Sequence, residues 1–540
     1  MGHCSRTARQ FQMAEFRIRV LHELWPAHRK SPEIVQAILS IKLTSTDVYS
    51  EILSKKAEGK PEGGEDKLLP PVTPTEGSKT ADVYLEIPKV YKRRWLILAL
   101  FVAFSFSNAY QWIHLNIIAN VIVKFYNESL PGDSFQQETA IDWLSMIYML
   151  AYIPLIFPAS WLLDKKGLKI TVICGAFLNA LGAGLKCASV APNRFGVLMF
   201  SQTICAIAQI FILGIPPRLA AVWFGANEVS TATSIGVFGN QVGVAAGFLI
   251  PPILVPNSDT LTEIADDLAK MFYIGVGVTT ALLVLIVVVF KAQPPIPPSK
   301  AQMLAGQSSN NQHYGRSLLN LLRNRGYLIL LVTYGINTGS YYALGTLLNP
   351  IILNYFPNHE QTAGEIGLTI VVAGVFGSIL AGVWLDRTRA YKPTTVGIYF
   401  LSLVGMVAFT FTFSVGRIWI VFVTAGTLGF FMTGYLPVGF EFAAEITYPE
   451  SEGTSSGLVN ASAQLIGIIL TISMRAIINR YSVLAANCAV SGTLLVGTIF
   501  TAFIGANYKR QAAGKEVTAV LDKVQVQVNQ ESIEFEKGEK

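Results

Sequence analysis

The sequence predicts an all-α membrane protein: twelve transmembrane helices arranged as two six-helix halves around a central cavity. Three observations carry the prediction. Of 540 residues, 51% are hydrophobic and 14% charged, against about 25% charged in an ordinary soluble domain. Apolar runs long enough to cross a bilayer, roughly 20 residues each, recur along the chain. A Trp-Leu-x-Asp-basic or Trp-Leu-Asp-basic turn appears once in each half, as Trp161-Leu162-Leu163-Asp164-Lys165 and Trp384-Leu385-Asp386-Arg387.

Residues 1–90 hold no spanning run. Lys55 to Thr80, rich in Lys, Glu, Gly and Pro, reads as part of a disordered cytosolic tail. Gly2 begins a myristoylation-like start, but Arg6 stands where Ser or Thr is required. The expected spans then follow near 95–124, 139–163, 168–190, 195–224, 229–254, 270–292, 326–355, 362–385, 393–414, 418–441, 454–476 and 483–507. The polar gap between the sixth and seventh sets the division: an N-terminal half over 91–292, a cytosolic linker over 293–325, a C-terminal half over 326–507 and a cytosolic tail over 508–540.

Basic residues set the orientation, because loops rich in Lys and Arg stay in the cytosol. Lys89, Lys92, Arg93 and Arg94 precede the first span. Lys165, Lys166 and Lys169 follow the second, and Arg387, Arg389 and Lys392 follow the eighth. Both termini are therefore expected in the cytosol. The sequon Asn127-Glu128-Ser129, after the first span, then lies outside, which makes Asn127 the expected glycosylation site. A plasma-membrane protein is expected. The Arg-rich, acid-poor start makes a mitochondrial or other internal membrane the alternative.

The repeat also bears on mechanism. Gly382-Val383-Trp384-Leu385-Asp386-Arg387 matches the G-x-x-x-D-R pattern of major facilitator transporters, and Ser160 to Lys165 is its degenerate copy. Twelve spans with this repeat resemble the major facilitator fold, in which two parallel halves flank a central site. An Asp beside a helix end can hold a basic group or a helix N-terminus in one conformation and release it in the other. Arg218 follows Pro216-Pro217, and Glu441 and Glu445 follow Pro437 in the matching place of the other half. With Asp164, Asp386 and Arg387 they are expected to form an inner gate that closes in the outward-facing state. Gly239, Gly243 and Gly247, and likewise Gly374 and Gly377, have the spacing of close helix packing.

Polar residues inside the spans are the candidate site, because at that depth they are costly unless they face a cavity or a partner. The first span offers Asn108, Gln111, Trp112 and His114, the fourth Gln209, the seventh Tyr341 and Tyr342, the eleventh Asn460 and Gln464. Asp142, Lys186 and Arg475 lie near span ends, so the centre is expected to be free of charge. Aromatic faces joined to neutral amides suit a quaternary ammonium, which a ring face attracts by about 2 kcal/mol when desolvated. The five cysteines (Cys4, Cys174, Cys187, Cys205, Cys488) have no paired spacing. No metal-ligand set or nucleophile–base set appears, so neither an enzyme, a cofactor nor a nucleic-acid partner is expected. The expected partners are the lipid bilayer and a small-molecule substrate, the expected state a monomer, and the alternative class a receptor or scaffold that keeps the fold.

Six stretches carry a closer resemblance: Val90 to Trp95, Asn108 to Trp112, Gly214 to Gly225, Thr346 to Asn349, Pro437 to Glu445 and Tyr448 to Gly457. Over about residues 84 to 510 the chain resembles the feline leukaemia virus subgroup C receptor family. The resemblance implies plasma-membrane transport of choline and ethanolamine, or of haem. It places the family's substrate aromatics on Trp112 and Tyr342 and its glutamines on Gln209 and Gln464. The doubled Tyr341-Tyr342 leaves open which ring faces the site. Haem is large, anionic and usually held by His, Cys, Tyr or Met; His114 is the one histidine in a predicted span. Choline is therefore the expected substrate, moved by facilitated uniport.

Overall fold

The computed structural model describes residues 89–225, 228–296, 298, 314–448, 450, 452–505 and 508–512. The expected tail over 1–90 and most of the last segment lie outside these residues. Among them the chain is helical throughout, in fifteen α-helices and two short 3-10 turns.

The first span is α1 (Arg93–Ile113), a 3-10 turn (Asn116–Ile118) and α2 (Ala119–Phe125). α3 (Ser134–Cys187) carries the second and third spans in one run, and they part at Gly167, whose φ of 79° a side chain would strain. The fourth span breaks at Gly214 into α4 (Phe195–Leu213) and α5 (Ile215–Trp223), with Pro216 in the first turn of α5, where a missing N–H costs nothing. α6 (Val229–Leu254) and α7 (Leu261–Val289) complete the first half.

After the linker helix α8 (Tyr314–Arg323) come α9 (Arg325–Thr346), α10 (Leu348–Tyr355), α11 (Glu360–Thr388), α12 (Tyr391–Thr412), α13 (Ile418–Thr447), α14 (Glu452–Arg480) and α15 (Val483–Ala502). The expected linker over 293–325 is thus partly helical. Among the described residues eleven stretches are long and apolar enough to cross a membrane. The seventh expected span, which holds α9, is not among them: Thr333, Tyr334, Asn337, Thr338 and Ser340 dilute its apolar character, and all five are buried in protein. Lipid faces instead Val288, Phe376, Ile379 and Leu380, each more than half exposed.

Glycines set the helix contacts as their spacing predicts. A Cβ on Gly243 of α6 would meet the Phe106 carbonyl and Ala109 Cβ of α1, and one on Gly339 of α9 would lie 2.7 Å from the Gly467 amide of α14. Small residues bring backbones together where lipid leaves no burial from water to gain. At the end where the chain enters α1, here called proximal, Arg94 lies 5.5 Å from the Trp95 ring and 5.4 Å from the Phe224 ring, and pairs with Glu228 at 2.9 Å.

Two compact units are distinguished: Thr80–Ala444 with Glu450–Ala506, and a smaller one that includes Glu445–Pro449 and the chain from Asn507. The larger unit holds the helices of both halves up to Ala444 and from Glu450. In the smaller one the Gln511 amide donates to Glu445 Oε1 at 2.8 Å.

Candidate substrate site

The first and seventh spans break at matching places, after Ile113 and at Leu347. A broken helix frees carbonyls that a continuous one would use. The Gln111 carbonyl receives His114 Nδ1 at 2.9 Å and Gln202 Nε2 at 3.1 Å, and the Ile117 carbonyl receives Asn349 Nδ2 at 2.7 Å. Interrupted helices of this kind build the sites of many transporters.

Just before the first break sits Trp112, 7% exposed. Its indole meets the ring of Tyr342 edge-on, with centroids 5.7 Å apart and planes at 80°. One ring comes from each half. Gln464 of α14 is buried. Tyr341, 6.0 Å from Tyr342, lines a separate apolar cavity with Trp112. Gln209 and Asn460 are half-buried, and Gln209 Oε1 is a buried oxygen without a protein donor.

The other first-span amides belong to a relay inside the N-terminal half. Lys186, 2% exposed, donates to Gln111 Oε1 at 2.8 Å. An ammonium can only donate, so Gln111 must turn its amide nitrogen the other way, and Nε2 reaches Asn179 Oδ1 at 3.0 Å. Asn108 Nδ2 donates to the same Asn179 oxygen at 2.9 Å and to the Cys205 carbonyl at 3.0 Å. Asn108 Oδ1 is left buried with no donor. Both ends of the Gln111 amide are therefore engaged, whereas Asn108 keeps a free acceptor one turn from Trp112. His114 points to the sixth span, 6.4 Å from Phe272.

Charges expected at the span ends are buried in protein. At the distal end, opposite the entry of α1, Arg475 of α14 spans the two halves. Its Nε and Nη2 grip Asp142 of α3 at 2.6 and 2.8 Å, and Nη1 reaches Glu138 at 2.9 Å. Arg475 and Asp142 are 3% and 2% exposed at their side chains. Ser145 and Thr346 meet at 2.9 Å, and Glu360 of α11 receives Asn120 at 3.1 Å and Asn257 at 3.2 Å. Gly364 brings α11 against Phe248 and Pro252 of α6. The halves are thus latched distally. The sequence marks Asp142 and Arg475 as span-end charges and gives no sign of Glu138, Asn120, Asn257 or Glu360.

The expected inner-gate residues differ in exposure. Arg218, Arg387 and Glu441 are exposed, while Glu445 is buried. The side chains of Asp164 and Asp386 lie outside the described atoms. Asn127, the expected glycosylation site, is exposed, and its Oδ1 accepts from Gln137 at 3.1 Å.

Residues 95–472 match the Major Facilitator Superfamily. The chain is 53% identical over 429 residues to the choline/ethanolamine transporter flvcr2b of Danio rerio, covering 79% of this chain and 87% of that one. It is 51% identical over 433 residues to the choline/ethanolamine transporter FLVCR2 of Homo sapiens, covering 80% and 81%. The structure of a bacterial homologue of the human lysosomal transporter Spinster shares the fold, with a TM-score of 0.61, 12% identity, and coverage of 78% of this chain and 99% of that one. The chain belongs to the major facilitator superfamily and, within it, to the family of these FLVCR transporters.

Proposed function

We propose that the chain carries choline and ethanolamine across the plasma membrane by alternating access, with both termini in the cytosol. The observation that carries the reading is the Trp112–Tyr342 pair, one ring from each half, 5.7 Å apart. A ring face attracts a trimethylammonium group without needing its protons. Gln464, Gln209 and the free oxygen of Asn108 are acceptors for a hydroxyl or a primary ammonium. The close similarity to relatives named choline/ethanolamine transporters supports the same substrate class.

In this orientation the distal latch would close the outer side, as an inward-facing state requires. Asp164, Arg218, Asp386, Arg387, Glu441 and Glu445 are proposed as the inner gate that closes in the outward-facing state. None of the expected substrate-site residues is a carboxylate, which favours uniport driven by the substrate gradient and the membrane potential.

Radiolabelled choline and ethanolamine uptake by cells expressing the wild type or Trp112→Ala, at matched surface density, tests the reading. Saturable uptake lost in the mutant supports it. Background uptake in both, with haem export by the same cells, replaces choline by haem.

A further inference from the structure

Beside the aromatic pair lies an apolar cavity of about 20 Å³ whose lining includes Trp112, Tyr341, Phe248, Gly345, Ile370 and Met432. A single water needs roughly 10–15 Å³ on the same measure and two to four polar partners. The space is therefore large enough for a water or a methyl group, and its almost wholly apolar lining suits the methyl.

Its position ties it to the substrate. The indole of Trp112 is both a wall of this cavity and the ring that meets Tyr342. A cationic head held against Trp112 would therefore lie beside a wall of this cavity. The walls come from α1, α6, α9, α11 and α13, so the cavity lies between the halves. We infer that this cavity is a subsite for one N-alkyl arm of a quaternary ammonium substrate, and that it sets how long that arm can be. The inference rests on the choline reading above.

Gly345 offers a clean probe. A Cβ built on it meets only Phe248 Cζ, at 3.5 Å, an ordinary van der Waals contact. Gly345→Ala thus adds one methyl at the cavity wall of a helix that favours Ala over Gly. Ile370→Val perturbs the same wall in the opposite sense.

The experiment is competition of radiolabelled choline uptake by the N-ethyl-N,N-dimethyl and N-propyl-N,N-dimethyl analogues of choline, using the full chain. The readout is the ratio of each analogue's inhibition constant to that of unlabelled choline. In the wild type the N-ethyl analogue is expected to bind about fourfold better than choline, the worth of one buried methylene. In Gly345→Ala it is expected to fall about tenfold behind choline, as an overfilled pocket does. Ile370→Val is expected to shift the N-propyl ratio the other way, a change that loss of folding cannot mimic. Equal ratios in all three proteins would overturn the subsite while leaving choline transport standing. Absence of choline uptake by the wild type would overturn the transport reading, and the subsite with it.

Discussion

Arg475 is the hinge of the distal closure, and its removal has a calculable consequence. Its guanidinium holds Asp142 through two parallel hydrogen bonds of 2.6 and 2.8 Å and Glu138 through a third of 2.9 Å. Forming such a buried pair gains little against desolvation, but taking away one partner costs roughly 3–5 kcal/mol, because a buried charge is left alone. Arg475→Met strands Asp142 in the closed state, whereas in the open state the same carboxylate meets water. At about 3 kcal/mol the equilibrium shifts by roughly two decades toward the distal-open state. Thr346, 1% exposed and bonded to Ser145 across the halves, reports the change. Thr346→Cys, in a background where exposed Cys488 is replaced by Ser, is labelled on intact cells by a membrane-impermeant thiol reagent. Arg475→Met is expected to raise the labelling rate up to about a hundredfold, and the charge swap Asp142→Arg with Arg475→Asp to bring most of it back. A rate unmoved by Arg475→Met would refute the latch.

The other predictions concern the site, the packing and the orientation. Trp112→Ala is expected to weaken choline affinity about thirtyfold, the equivalent of about 2 kcal/mol of cation–π attraction. Tyr342→Phe should keep most of that affinity and Tyr342→Ala lose it, as read from uptake at graded choline concentrations. Gly243→Leu drives a side chain into the Phe106 carbonyl and is expected to abolish the folded peak in size-exclusion chromatography, whereas Gly382→Ala, with nothing within 4 Å of its Cβ, should leave it in place. Asn127→Gln is expected to remove a glycan-sized mobility shift from protein made in animal cells; an unshifted wild type would contradict the placement of Asn127 outside.

The apolar runs made the helices readable, because lipid demands about 20 apolar residues for each crossing. The exception is instructive. The seventh span was expected as an apolar run over 326–355, yet the polar stripe of α9 from Thr333 to Ser340 makes it less apolar than the other spans, since that stripe faces protein. Pro216 announces the break after α4, but nothing local announces the turn at Asn116. The aromatic pair was legible from residue type and resemblance. The partners of Gln111 were not: Asn179 and Lys186 lie 68 and 75 residues away in the chain, and only folding shows that its amide is already engaged. The distal latch was hidden for the same reason. Arg475 and Asp142, 333 residues apart, each read alone as an end charge, and only as a pair do they join the halves.

The measurement that tests the central claim most directly is choline uptake by the purified full chain in liposomes, with a choline gradient as the only driving force. The account predicts saturable uptake by the wild type and its loss in Trp112→Ala and Tyr342→Ala. Uptake that survives both substitutions, or that needs an imposed proton or sodium gradient, would contradict it.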